Sequence, residues 1–303
     1  MTASPTSAEH TERFLALRPL LFTIAYEILG SATESDDVLQ DSYLRWAEVD
    51  VTTVRDAKAY LAQLVTRQAL NTLRAGARRR EQYVGPWLPE PLLLTDHDPA
   101  ADVLLTESVS MAMLVVLETL GPDERAVFVL REVFGFDYDE IAAAVDRSVA
   151  ATRQVAHRAR AHVQARRPRF RPADPAETAR ITEEFLAATV SGDLQTVLSL
   201  LAPDVVWTAD GGGKATAARR PVHGAHRVAR AIIGLHRWSQ EMPDVRMQIG
   251  VCNAAPAVLV YSADVLEAVF TVEIGDGVIT GFYAMRNPDK LAALTAARPI
   301  SRR

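Results

Sequence analysis

Cysteine is almost absent from this chain of 303 residues: Cys252 stands alone, so no disulfide framework can form within one molecule. Lysine is nearly as scarce, with only Lys58, Lys214 and Lys290 among 33 basic residues. The basic chemistry is therefore guanidinium chemistry, suited to bidentate and stacked contacts. Long apolar runs are missing too, and no uncharged stretch approaches the roughly 18 residues that suggest a membrane span. Residues 1–10 are rich in Ser and Thr and carry Glu9, so the basic and then apolar segments of a secretion signal are lacking. A cytoplasmic protein without membrane association is expected. A formal net charge of -5 argues weakly against an indiscriminate nucleic-acid coat, although it averages over domains.

What is present is ample material for real cores: 49% of residues are hydrophobic and 23% charged. The length suits two or three compact domains. Residues 1–11 read as a disordered tail and 12–80 as a helical domain. Phe14, Leu17, Leu20, Leu21, Ile24, Ala25 and Ile28 fall at helical spacing, with Gly30 at a C-cap position. A turn over 31–35 follows, with Ser35 placed to cap a helix carrying Val38, Leu39, Tyr43, Leu44 and Trp46. A third helix is expected over about 54–80. Pro86, Pro89, Pro91 and Pro99 then make 81–104 an extended linker, able to span on the order of 60–70 Å between two helical units. Residues 105–167 are helical again, with breaks at Leu120-Gly-Pro-Asp123, Phe134-Gly-Phe136 and Asp146-Arg-Ser148. A second linker, 168–176, holds Pro168, Pro172 and Pro175. In 177–295 two helices, 178–189 and 194–201, precede β-like runs at 205–208, 245–251, 257–261, 268–274 and 278–285. Gly275-Asp-Gly277 supplies a hairpin turn. This predicts an α+β domain with helices first and an antiparallel sheet after them.

Residues 138–157 fit a helix-turn-helix. Ile141, Val145 and Val155 point inward, Ala142 is small where helices meet, and Ser148 caps the second helix. From 147 to 173 there are eight arginines and no acidic residue. Thr152, Arg153, Gln154, His157, Arg158 and Arg160 on the second helix, with Ser148 at its start, offer donors for base edges and phosphates in a major groove. The bland alternative is an arginine-rich solvated helix; the coincidence of turn and acid-free stretch favours DNA. A second acid-free stretch, 67–80, holds Arg67, Arg74, Arg78, Arg79 and Arg80, with Gln68 and Asn71 on the same helix and Tyr60 and Trp46 nearby. Charges beside rings suit single-stranded nucleic acid, although each ring taken alone reads more naturally as core.

At this point the residues resemble a family. Ser35-Asp-Asp-Val-Leu-Gln-Asp-Ser-Tyr-Leu-Arg-Trp46 resembles the helix of sigma region 2 that grips core RNA polymerase. Tyr60-Leu-Ala-Gln-Leu-Val-Thr-Arg-Gln-Ala-Leu-Asn71 resembles the segment that melts and reads the -10 element. Residues 120–142, through Leu120-Gly-Pro-Asp-Glu-Arg125, Phe128, Leu130 and Glu140-Ile-Ala142, are similar to region 4, which reads the -35 element. The spacing leaves no room for a long region 3, as in the extracytoplasmic-function (ECF) type. Trp87-Leu-Pro-Glu-Pro91, Asp210-Gly-Gly-Gly-Lys214 and Asn287-Pro-Asp-Lys-Leu291 are similar to three signatures of the subgroup with a C-terminal SnoaL-like domain. The resemblance implies a multidomain fold: two all-α domains that bind DNA and polymerase, the second with a helix-turn-helix, plus a C-terminal α+β cone of SnoaL/NTF2-like type. It implies a sigma factor whose partners are core RNA polymerase and promoter DNA, duplex at -35 and melted at -10. Asp36, Asp37, Gln40, Asp41, Leu44, Arg45 and Trp46 would face polymerase. Arg55, Lys58, Tyr60, Arg67, Gln68, Asn71, Arg74 and Arg78 would serve the -10 element, with the loop 51–56 receiving a flipped base. Without the resemblance, the acids of 36–41 would read as an ordinary helix N-terminus.

Trp87, Leu88, Pro89, Glu90 and Pro91, with Asp210, Gly211, Gly212, Gly213, Lys214, Asn287, Pro288, Asp289, Lys290 and Leu291, are expected to dock the C-terminal domain and regulate activity in cis. Asp210-Gly-Gly-Gly-Lys214 is no P-loop, because the GxxxxGK[ST] spacing is absent. A small ligand in the cone's pocket stays open. No cofactor or metal is expected, and no enzyme, although His223, His226 or His236 with Asp210 or Asp264 would be the general-base pairs of an enzymatic reading. A polymerase-independent regulator with a ligand-sensing domain is the main rival; it leaves the acidic helix and second basic helix without a purpose.

Overall fold

A computed structural model describes residues 5–95, 102–166, 174–294 and 297–302. Helices α1 (Pro5–Leu29), α2 (Ala32–Trp46) and α3 (Ala57–Glu81) come first, with a 3-10 turn at Val51–Thr53. Then come α4 (Val103–Ser108), α5 (Met111–Leu117), α6 (Pro122–Phe128), a π turn at Val129–Val133, α7 (Tyr138–Val145) and α8 (Val149–Arg166). The C-terminal part holds α9 (Pro175–Ser191), α10 (Leu194–Leu200), β1 (Leu201–Asp210), β2 (Val222–His223), α11 (Ala225–Ser239), β3 (Val245–Cys252), β4 (Ala255–Ser262), β5 (Val265–Gly275), β6 (Val278–Met285) and α12 (Pro288–Leu291). No described helix is long and apolar enough to cross a membrane.

Two compact units result. The first gathers 1–79, 113–169 and 299–303; the second gathers 80–112 and 170–298. The two helical modules therefore share one unit, which corrects the expectation of modules held apart by a 60–70 Å strap. In the first unit, Leu20, Leu21, Ile24, Ala25 and Ile28 of α1 are buried with Val38 and Leu39 of α2 and Leu61, Val65 and Ala69 of α3. Fully burying each large aliphatic side chain contributes about 1.5–3 kcal/mol. The expected disordered tail also needs correction: α1 begins at Pro5, and His10 is buried edge-on to Trp46, at 5.3 Å between rings. Trp46 Nε1 donates to the His10 carbonyl at 3.0 Å, so a buried indole finds its acceptor in the supposed tail. Ser31, rather than Ser35, caps α2, its hydroxyl accepting from Glu34 N–H at 3.1 Å. Arg125, almost wholly buried, ties α6 to α1 by donating to the Glu27 carbonyl at 2.8 Å and pairs with Glu118 at 2.6 Å. Close to the chain's end, Ile300 is buried and Ser301 N–H donates to Thr23.

The second unit is a six-stranded sheet of order β2-β1-β6-β5-β4-β3. All neighbours are antiparallel except β1 and β6, which run parallel, so the sheet is mixed and not the antiparallel one expected. Nor do all helices precede it, since α11 intervenes between β2 and β3. Val228, Ala229, Ile232 and Ile233 of α11 are buried with Ile181 and Phe185 of α9 against Val205, Trp207 and Phe282. The hairpin between β5 and β6 turns through Asp276 and Gly277, both at positive φ. Residues 83–95 lie along this unit. Leu88 and Leu92 are buried, Leu93 bridges to Cys252, and Arg298 N–H donates to the Leu93 carbonyl at 2.9 Å. Most of the 168–176 linker and residues 96–101 lie outside the described residues.

Candidate functional site

The helix-turn-helix forms where its pattern puts it. Asp146 takes the left-handed conformation at φ 55°, which Asp tolerates better than most side chains, and so does the work of the usual turn glycine. The Ser148 hydroxyl accepts from Ala151 N–H at 3.2 Å to open α8. Val155, Ala156, Ala159 and Val163 turn inward; Arg153, Gln154, His157 and Arg158 share the exposed face. Thr152 does not join them. It is fully buried, its hydroxyl donating to the Ser148 carbonyl at 3.0 Å, so a side chain expected to reach DNA belongs to the core. Arg160 is half-buried and pairs with Glu132 at 2.6 Å; that hydrogen bond and charge push its guanidinium above the ordinary value. It is committed within the unit rather than presented outward.

On α3, Gln63, Arg67 and Arg74 share one face, and in this arrangement it is occupied. Arg67 and Gln63 both donate to the Ala143 carbonyl on α7, at 2.7 and 3.1 Å. Arg74 donates to one oxygen of Asp123 at 2.6 Å, and Arg147 grips the other through Nε at 2.9 Å and through Nη2. Burial pushes the Asp123 carboxyl up, but the hydrogen bonds and charges of Arg74 and Arg147 outweigh it and hold the group below the ordinary carboxylate value. Asn71 and Arg55 are exposed and Lys58 is half-buried. Tyr60 tilts against Trp46 at 5.6 Å. Gln68 needs correction: it is buried, and with its amide oxygen turned toward Arg45 it accepts from that guanidinium at 2.7 Å. The Arg78 side chain lies outside the described residues. In the loop 51–56, Val51 is buried while Thr52, Thr53, Arg55 and Asp56 are exposed.

Asp37, Gln40, Asp41 and Leu44 line one exposed face of α2, with Leu44 58% exposed and Arg45 beside it. Asp36 is half-buried and paired with Arg18 at 3.1 Å. Trp46, expected to face a partner, is instead wholly interior.

The three remaining signatures meet in the second unit. Asp210, at the end of β1, is 0% exposed. One of its oxygens accepts from Tyr83 OH at 2.5 Å and Gly212 N–H at 3.0 Å; the other accepts from Leu88 N–H at 2.9 Å and Lys290 Nζ at 2.7 Å. Lys290, also buried, donates to the Leu88 carbonyl at 2.5 Å and sits 3.3 Å above the Trp87 ring. Asn287 donates to Tyr83 OH at 2.7 Å and caps α12 through Asp289 N–H. Lys214 pairs with Asp289 outside the buried centre, at 2.5 Å. Burial and then the Asp210 hydrogen bond push the Tyr83 phenol well above its usual range. Gly212 is at φ 58°, and a Cβ there would stand 2.3 Å from Asn287 Nδ2. Pro89, Glu90, Pro91 and Leu291 are buried around this knot, while Gly211 has no room for a Cβ, which would lie 2.4 Å from the Ala215 carbonyl; Gly213 packs on Val84, and Pro288 is exposed.

Tyr83 and Asn253 complete the arrangement and are absent from the expected set. Asn253 receives Leu92 N–H at 2.9 Å and donates to the Val109 carbonyl at 2.8 Å. The one sequence signal for Asn253 is an Asn-Ala turn, here with both residues at positive φ. No general-base pair is assembled among the described residues. Asp210 is consumed by the knot, Asp264 is exposed, and His223 and His226 lie on a surface groove away from the cavity that His236 lines.

Comparison with known proteins matches the geometry. The Sigma-70 region 2 model matches residues 14–79, and the Sigma-70, region 4 model matches 110–163. ECF RNA polymerase sigma factor SigJ of Mycobacterium tuberculosis H37Rv is 38% identical over 288 residues, 91% of each chain. The probable ECF RNA polymerase sigma factor SigI of the same species is 33% identical over 285 residues, covering 93% of this chain and 94% of that one. The crystal structure of SigJ superposes with a TM-score of 0.75 at 32% identity, covering 94% of this chain and 99% of the other.

Proposed function

Because this chain belongs to the ECF RNA polymerase sigma factors, we propose that its exposed helix faces divide promoter recognition among them and that its C-terminal domain regulates them in cis. As a sigma factor it binds core RNA polymerase and directs promoter-specific transcription initiation. Asp37, Gln40, Asp41, Leu44 and Arg45 form the polymerase face of α2. Arg153, Gln154, His157 and Arg158 enter the -35 major groove, where a bidentate arginine contact discriminates bases by about 1–3 kcal/mol. Arg55, Lys58, Arg67, Asn71 and Arg74 meet the melted -10 strand once Arg67 and Arg74 leave Ala143 and Asp123.

One observation carries the regulatory reading: the buried Asp210–Lys290 pair holds the linker at Leu88. That linker joins the end of α3 to the segment leading into region 4. Parting α3 from α7, and so freeing the -10 arginines, needs slack there, and the knot withholds it. A small ligand in the C-terminal cavity is the candidate signal.

Run-off transcription with core polymerase tests both levels. The full chain should yield defined transcripts, Arg153→Ala should lose most of them, and Thr152→Val should not. No transcripts above core polymerase alone, or tight duplex binding without polymerase, would overturn the initiation roles. Lys290→Met should raise the yield per bound polymerase. An unchanged yield, with proteolysis showing the 83–95 segment released, would overturn regulation in cis.

A further inference from the structure

Between α9, α11 and the inner face of β4, β5 and β6 lies a cavity of about 70 Å³ that the promoter-reading account leaves unused. Phe185, Leu186, Ile232, Val258, Phe270 and Phe282 supply apolar wall, and Met242 and Met247 line it as well. Methionine walls adapt to the shape of an occupant better than branched ones do. Most of the polar groups lining it are already spent. Thr182 and Thr189 donate to the Thr178 and Phe185 carbonyls, each at 2.7 Å, and Ser239 donates to the His236 carbonyl at 2.7 Å. Arg286 is buried and gives Nη1 to the Thr216 carbonyl at 2.5 Å. Burial pushes its guanidinium down and the charge of Glu267, also in the wall, works the other way. The two charges offset, so the wall offers no net charge to an ionic occupant.

His236 is the exception. Its Nδ1 is sealed from solvent and has no hydrogen-bond partner among the described residues. A buried polar nitrogen of this kind is paired in most proteins. An imidazole nitrogen donates or accepts according to tautomer, and a hydroxyl can answer either. We propose that the cavity is a binding site for a compact, uncharged apolar molecule bearing one hydroxyl, with that hydroxyl on His236 Nδ1. The size sets the scale: a dry apolar cavity of about 150 Å³ accepts benzene, so this one, about half as large, takes an alcohol of about three or four heavy atoms, or the hydroxylated end of a longer molecule. The site also has a route outward. Phe282 and Arg286 stand on β6 and just beyond it; Arg286 N–H donates to the Asp210 carbonyl at 2.7 Å, and Asn287 and Lys290 of the knot follow directly. This inference names the ligand class for the regulatory reading, but binding is measured without transcription, so either can fail alone.

Isopropanol, its hydroxyl-free analogue propane and acetate are the probes, titrated against the full chain by saturation-transfer NMR. Isopropanol should bind in the millimolar range and the carboxylate at least tenfold more weakly. His236→Leu should weaken isopropanol about tenfold and leave propane unchanged or tighter. Ala268→Leu, which pushes three carbons into the cavity, should abolish both. If Ala268→Leu fails to fold, the His236→Leu pair of titrations still decides. Equal effects of His236→Leu on alcohol and hydrocarbon, or no saturable binding by isopropanol, would overturn the proposal.

Discussion

Two carboxylates hold two parts of this molecule together, Asp210 in the knot and Asp123 in the clamp, and their surroundings differ sharply. Asp210 and Lys290 are 0% and 4% exposed at the side chain, and each has its remaining hydrogen-bonding capacity met by Tyr83, Leu88 and Gly212. Asp123 is 20% exposed and its partners Arg74 and Arg147 are 49% and 44% exposed. A buried pair draws on a desolvation cost already met by good geometry, so removing one member strands the other. An exposed pair competes with water and salt throughout. The knot is therefore expected to resist opening more strongly than the clamp. The clamp is open to competition from another anion, and under the proposed function the phosphates of a melted strand would be that anion for Arg74.

The largest effect should follow from stranding a charge in the knot. Lys290→Met leaves Asp210 buried without its cation, and the second unit should lose about 3–5 kcal/mol, read from urea denaturation of the full chain. A loss below about 1 kcal/mol would put the knot in the same class as the clamp and erase the contrast. Next in size is Gly212→Ala. A residue with a Cβ in the left-handed region costs about 1–2 kcal/mol, and here the added atom also meets Asn287 and Tyr83. Gly85→Ala sharpens the measurement, because Gly85 is at φ 89° with nothing within 4 Å of the added Cβ, leaving backbone strain as its only penalty. Gly212→Ala should be the more damaging of the two.

The same contrast explains what the sequence made legible. The inward face of α8 follows from apolar periodicity, and Ser148 and Asp146 mark its start from chemistry alone. Thr152 misleads because a hydroxyl looks outward-facing in sequence, yet one bond to the carbonyl four residues back satisfies it in the core. Trp46 and Gln68 mislead for a related reason, each finding its polar partner on another element. Helix α11 is legible in principle: Val228, Ala229, Ile232 and Ile233 recur at helical spacing, with His226, Arg227, Arg230 and Arg237 on the opposite face, and the expected elements omit it all the same. The parallel pairing of β1 with β6 joins segments some seventy residues apart, and no local pattern encodes it. Asp210, Lys290 and Trp87 stand out as residues that local structure does not demand. Tyr83 stays hidden because its bond to Asp210 spans 127 positions.

The smallest expected effect belongs to the clamp, and it tests the comparison most finely. The Asp123 carboxyl is held below its ordinary value, so its contribution to closure is fully present above the unfolded carboxyl's pKa of about 3.9. It is lost only as pH falls through the still lower folded value, and closure should not vary with Asp123 between pH 5 and 7. Asp123→Asn removes the charge at neutral pH and should lower the first unit's stability by about 0.2–1 kcal/mol at low salt, less as salt rises. The same substitution should strengthen binding of a single-stranded -10 oligonucleotide, since Arg74 and Arg147 no longer face a competing carboxylate. Stability and oligonucleotide affinity should therefore move in opposite directions in one variant. If both fall together, Asp123 supports the shape of the -10 surface instead of covering it, and the clamp ceases to be a releasable counterpart of the knot.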